Sequence, residues 1–342
     1  MGKIKIICLV LLLFFLIAIL FLLVMFFTMG VSSNCNIQQS SEFYNQNTDI
    51  SNIIITFTTM PDRLQSDLFQ KMVSSALSQS VRPQEIRAHI PYKLKKTGKE
   101  YIIPDWLSAT KVNIVRVEDH GPATKFLSAV KDYQSTNQRF LVCDDDIVLD
   151  TDAIKEFQLA ANKYPNLAIA PFGTVFHRKI DPDSQQVKDV HFEEKTGLCQ
   201  SYMGKGHHAF KLILPNHLQF VGEKSIKSVD LLYGCFTYSI TANMVNYDEL
   251  TDWKNMPKQA FFVDDVVLSA HLAKNRVPKV VLPNLPIQRL TYKSLAKAAV
   301  FELFKIGFDD EALSANTNTS NDNNNVVIKH FLDVWGTKPL SP

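Results

Sequence analysis

From Ile6 to Met29 apolar residues fill nearly every position and no charged residue occurs, a run long enough to cross a bilayer as a helix. Beyond it the period of the pattern changes. Asn52 to Phe57 is a β-branched run of strand length, closed by Thr58-Thr59-Met60-Pro61. Asp67 to Gln79 then places Leu68, Met72, Ala76 and Leu77 at helical spacing, and Pro83 separates it from a strand over Glu85 to Ile90. Strand, helix and strand at this spacing predict a parallel pair with a crossover. A third strand, Asn113 to Val117, leads through Glu118 to Lys125 into a helix that reaches about Tyr133. Arg139 to Cys143 is a fourth strand, Asp152 to Lys163 a helix and Leu167 to Ala170 a further strand. Repeated β and α units predict an α/β fold with an open, mostly parallel sheet flanked by helices.

The second half is less regular. Arg178 to Gly206 mixes charge, Gly and polar residues without a period and reads as a long excursion. Val229 to Gly234 and Phe236 to Ile240 predict returning strands around a glycine bend. A helix follows Asp264-Asp265, and Val280 to Leu282 is a last short strand. Ser32 to Asp49, rich in Ser, Asn and Gln, predicts a flexible stem, and Asn316 to Asn325 predicts a disordered stretch. The expected organisation is therefore 1–5 tail, 6–29 transmembrane anchor, 30–50 stem, 51–300 catalytic domain and 301–342 C-terminal tail.

Charge orients the anchor. Lys3 and Lys5 precede the apolar run and no Lys or Arg follows until Arg63, so the positive-inside rule leaves the N-terminus cytosolic and the domain across the membrane. A cleaved signal peptide is the alternative, with an apolar region about twice the usual length. The 342 residues carry 36 Lys and Arg against 34 Asp and Glu, a formal net charge of +2. That balance gives no broad field to attract nucleic acid, so an anionic ligand must be held locally. The five cysteines show no CxxC spacing, which argues against a structural zinc site. Cys199 and Cys235 would pair only if the fold brings them together in an oxidising compartment.

Candidate chemistry concentrates where strands end. Asp144-Asp145-Asp146 follows Arg139 to Cys143 directly, and three like charges cannot continue a buried strand. Alternation sends Asp144 and Asp146 to one side and Asp145 to the other, so the outer pair suits one hard cation. An acidic turn capping the next helix would have the same composition. In open α/β sheets ligands bind beyond the carboxyl ends of the strands, where the Thr58 to Arg63 loop, the Asp119 to Lys125 loop and the three aspartates all fall. Arg63 suits a diphosphate as a planar cation, and Lys125 can present a point charge at a helix start. Asp264 and Asp265 open a helix after Phe261-Phe262-Val263. One of the two, with Asp265 favoured, suits a general base on an acceptor hydroxyl; an N-cap pair is the structural alternative.

These residues resemble a GT-A fold glycosyltransferase of the type II, Golgi-like kind. Thr58 to Arg63 looks like the nucleotide-binding opening, Asp144 to Asp146 resembles the DxD motif, and Val263-Asp264-Asp265-Val266 is similar to the late acidic motif of exostosin-like C-terminal domains. The resemblance implies Mn²⁺ (or Mg²⁺) on Asp144 and Asp146. It implies a nucleotide-sugar donor, UDP-sugar foremost, contacted by Thr58, Arg63, Lys125, Asp144 and Asp145. It also implies a glycan or glycoconjugate acceptor facing Asp265 and Asp264, hexosyl- or N-acetylhexosaminyl-type transfer, and a luminal domain in the Golgi or another secretory-pathway membrane. The C-terminal His that often completes the metal shell in such enzymes has no counterpart here. A metal-dependent phosphoryl hydrolase and a membrane-tethered carbohydrate-binding module are the alternatives from other classes.

Overall fold

The computed structural model describes residues 36–192, 200–203, 220–222, 225–234, 237–282, 285 and 322–342. An eight-stranded sheet forms the centre. Its strands are β1 (Ile53–Phe57), β2 (Glu85–Pro91), β3 (Asn113–Val117), β4 (Arg139–Cys143), β5 (Ala168–Ala170), β11 (Lys227–Val229), β13 (Thr237–Thr241) and β14 (Lys279–Val281), in the order β11-β14-β5-β13-β4-β1-β2-β3. β4-β1-β2-β3 is parallel, whereas β13 runs antiparallel between β4 and β5. β6 (Phe172–Val175), β9 (Gln200–Met203), β10 (Phe220–Gly222) and β12 (Leu231–Leu232) make a second sheet, and β7 (His177–Ile180) pairs with β8 (Val187–His191).

Alternation along the central strands builds a core on each face. Ile53, Ile55, Phe57, Leu141 and Cys143 pack with Phe69, Met72 and Val73 of helix α2 (Asp67–Leu77) and with Ile154 and Phe157 of α4 (Ala153–Lys163). Ile54, Phe140 and Val142 face the other way, onto Phe126 and Val130 of α3 (Thr124–Tyr133) and Val266 and Ala270 of α5 (Asp264–Lys274). Burial of each Ile or Phe contributes roughly 1.5–3 kcal/mol. Parallel strands covered on both faces read as continuous apolar runs, which is why β1 and β4 show no polar alternation.

Four expectations are corrected. The predicted fold placed a transmembrane helix ahead of the sheet. Among the described residues no helix is long and apolar enough to cross a membrane; the helices α2, α4 and α5 run 11 residues, about half a bilayer span. Residues 6–29 lie outside the described residues, and the single-pass type II, luminal localisation is withdrawn with the spanning helix. The stem expected over 30–50 contains α1 (Ile37–Gln46), capped by Asn36, which accepts from Gln39 N at 3.1 Å. Ser40 meets Ser74 of α2 at 2.7 Å and Tyr44 donates to the Pro83 carbonyl, so α1 is docked.

The excursion from Arg178 holds the β7–β8 hairpin and β9, with Arg178 paired to buried Asp230; an arginine at an inward position hid the strand period. Finally, the Asn-rich stretch ends inside a helix. Residues 316–321 lie outside the described residues, but α6 (Asp322–His330) buries Val327 and Ile328, and Asn325 bonds both backbone groups of Phe192. Cys199, Cys235, His207 and His208 also lie outside the described residues.

Candidate functional site

Register brings the acidic stretches together. Thr56 of β1 lies beside Val142 of β4, so the loop after Phe57 emerges next to Asp144-Asp145-Asp146. β13 runs the other way with Thr237 opposite Cys143, which returns the segment ending at Gly234 to the same edge. α3 and α5 both begin there.

Asp145 turns inward. Its carboxylate accepts from Thr59 Oγ1 at 2.5 Å and from Arg63 Nη1 at 2.6 Å, which ties the β1 loop to the end of β4. Asp146 keeps a side chain 45% exposed, with Arg63 Nη1 at 3.7 Å. Thr58 donates to the His89 carbonyl at 2.7 Å, so its hydroxyl serves the scaffold. Lys125 is buried, its Nζ 2.9 Å from Asp144 Oδ1 and 3.0 Å from Asp264 Oδ2, and it donates to the Gly234 carbonyl at 3.3 Å. Asp265 is half-buried; its two oxygens accept from Val266 N at 2.9 Å and Gly234 N at 3.4 Å.

Acid outnumbers base in this cluster, and its protonation equilibria show it. Burial raises the Asp144 carboxyl to about 7 against the pull of Lys125, with Asp146 adding repulsion. Asp146 rises to about 6, through lost hydration and then Asp145. Asp265 rises to about 6, through burial and then the neighbouring Asp264. Burial alone would lower Lys125, but Asp144 and Asp264 outweigh it and hold the ammonium well above the ordinary lysine range. Arg63 is raised as well: burial opposes its charge, and Asp145 and Asp146 more than offset that.

The donor set fits a cation held by one or two carboxylates and completed by substrate oxygens, the usual arrangement for small hard divalent ions. Asp146 is only loosely paired, and Asp144 keeps a second oxygen beyond the one facing Lys125. Among the described residues no group of three or more His, Cys, Asp or Glu is placed to hold a metal ion.

Two features of this edge escaped the sequence. Tyr238 of β13 is buried with its hydroxyl unpartnered, and its ring lies 6.0 Å from Lys125 Nζ. A tyrosine inside a returning strand carried no signal beyond β propensity. Beside α3 and the edge strand β3 lies a cavity of about 350 Å³ lined by Arg116, His120, Lys131 and Tyr247 among others.

Fold and edge together define an α/β protein whose polar site gathers two acidic stretches around a buried lysine and a half-buried arginine. No protein-family model matches the chain, and no curated protein matches it. Among solved structures, residues 1–349 of S. aureus TarS overlay with a TM-score of 0.36 and 10% identity, covering 82% of this chain and 71% of that one. HddC from Yersinia pseudotuberculosis overlays with a TM-score of 0.24 and 20% identity, over 42% of this chain and 68% of that one. At these TM-scores neither overlay defines a fold family or a reaction for the chain.

Proposed function

We propose that the chain is a glycosyltransferase that moves a sugar from a nucleotide-sugar donor, UDP-sugar foremost, to a hydroxyl of a glycan or glycoconjugate. The observation that carries this reading is the meeting of Asp144-Asp145-Asp146 with Asp264-Asp265 at the carboxyl edge of the sheet, beside Arg63 and Lys125. Asp146 and the second oxygen of Asp144 would hold Mn²⁺ or Mg²⁺, whose contribution is to neutralise charge on the departing diphosphate. Arg63, held by Asp145, lies 3.7 Å from Asp146 and supplies a fixed cation on the donor side. Asp265, more open than buried Asp264 and poised near 6, takes the acceptor proton. The acceptor oxygen forms its bond to the anomeric carbon as the carbon–oxygen bond to the diphosphate breaks, and the nucleoside diphosphate leaves. An in-line attack of this kind inverts the anomeric centre.

The test is calorimetric titration of UDP and GDP into the protein with and without Mn²⁺, followed by a screen of nucleotide sugars. Mn²⁺-dependent binding of one diphosphate is the expected result. Its absence for both overturns the reading.

A further inference from the structure

Lys125 was expected to face a phosphate, but its surroundings assign it other work. It is 4% exposed, and Asp144, Asp264 and the Gly234 carbonyl all lie within 3.3 Å of Nζ. An ammonium has three donors, and these neighbours surround it from three different elements. To reach a solvent-side phosphate it would have to abandon buried Asp264 and part-buried Asp144. Its backbone is fixed too: the Lys125 carbonyl lies 3.1 Å from His89 Nδ1, and since a carbonyl only accepts, the ring donates there. Gly234 uses its carbonyl on Lys125 and its N–H on Asp265. A Cβ at that position would stand 3.0 Å from Asp265 Cβ, a tight contact, and 3.5 Å from Lys125 Nζ, an ordinary one, so the backbone passes close to both.

We propose that Lys125 is a positioning residue, an internal counter-ion that fixes Asp144 of the first acidic stretch against Asp264 and, through Gly234, against Asp265. Its consequence for sugar transfer rests on the function proposed above; its structural role does not. One ammonium then sets the separation between the acids on the leaving-group side and the acid on the acceptor side.

Two measurements on the full chain test this. In a thermal double-mutant cycle, Lys125→Met lowers the unfolding midpoint by on the order of 5–10 °C, because it strands buried Asp264 and part-buried Asp144. Asp264→Asn in that background recovers a good part of the loss, and Lys125→Arg, which keeps the charge, loses less than Lys125→Met. Additive shifts of the two single changes would overturn the proposal. In the second measurement, UDP release from nucleotide sugars falls by about 10²-fold in Lys125→Met, as expected for misplaced groups. Binding of UDP with Mn²⁺ stays within about threefold, and Lys125→Arg restores part of the rate. Equal losses of binding and rate would make Lys125 a phosphate ligand and overturn the positioning role. If the wild-type chain binds neither UDP nor GDP, the transferase reading fails and the thermal cycle alone decides on Lys125.

Discussion

Lys125 and Lys279 are both interior lysines, 4% and 3% exposed, in opposite surroundings. Lys125 lies among carboxylates that keep it charged, beside the unpartnered hydroxyl of Tyr238. Lys279, the first residue of β14, donates to the Ser269 carbonyl at 3.0 Å and lies 5.7 Å from the Trp335 ring. Burial lowers it to about 8, which Asp230 opposes and Arg178 reinforces. The acid nearest that region is saturated elsewhere, since Asp230 accepts from both Arg178 terminal nitrogens and from Phe176 N. An interior cation outnumbered by acids is held charged. An interior cation beside a closed ion pair marks an anchor.

The sharpest way to break this contrast is Asp146→Ala. Turnover should fall to background while the unfolding midpoint barely moves, because a half-exposed carboxylate contributes little to the core. A large loss of stability would instead make Asp146 a scaffold residue. Asp265→Asn should slow transfer by about 10²–10⁴-fold with UDP binding kept, and steady-state kinetics beside calorimetry would reveal equal losses if the residue belonged to the donor side. On the anchor side, Arg178→Met should cost about 3–5 kcal/mol in urea unfolding, since it leaves Asp230 charged, buried and unpaired.

Lys279 offers a subtler readout. Its folded pKa of about 8 lies below the ordinary lysine value, so between the two the unfolded chain holds the extra proton and stability rises with pH. The rise from pH 8 upward should be on the order of 2–3 kcal/mol, and Lys279→Met should flatten it. The smallest effect is expected from Asn325→Ala, which removes two bonds to Phe192 and should cost about 1–2 kcal/mol by the same unfolding assay.

Much of the first half was legible because buried parallel strands and amphipathic helices impose periods on the sequence. Asn113 to Val117 is β3 residue for residue, and Arg139 to Cys143 is β4. The carboxyl-edge rule also placed Arg63, Lys125 and the three aspartates at one edge before any coordinates. What was hidden is what depends on partners distant in sequence. α1 is polar in composition, and partners distant in sequence such as Ser74, Ser78 and Pro83 reveal why it docks. Arg139 looks like the charged start of a strand, yet it is buried and donates to the carbonyls of Leu167 and Pro165 and to Ser239. The insertion of β13 against the run of its neighbours leaves no local trace, and without it Gly234 would not reach the cluster. Neither does a lysine at a helix start announce whether it faces solvent or two interior acids.

The closing segment carries a consequence for how the chain is made. Val327, Ile328 and Trp335 complete the core that β4, α3 and α5 share, and the Trp335 indole donates to the Ile328 carbonyl. A ribosome releases these residues after the strands and helices they cover, so that face of the sheet stays unfinished until they emerge, with Phe176 and Phe192 lacking part of their cover. Chains stopped near residue 321 would therefore present a chaperone or a protease with an open apolar wall instead of a trimmed tail.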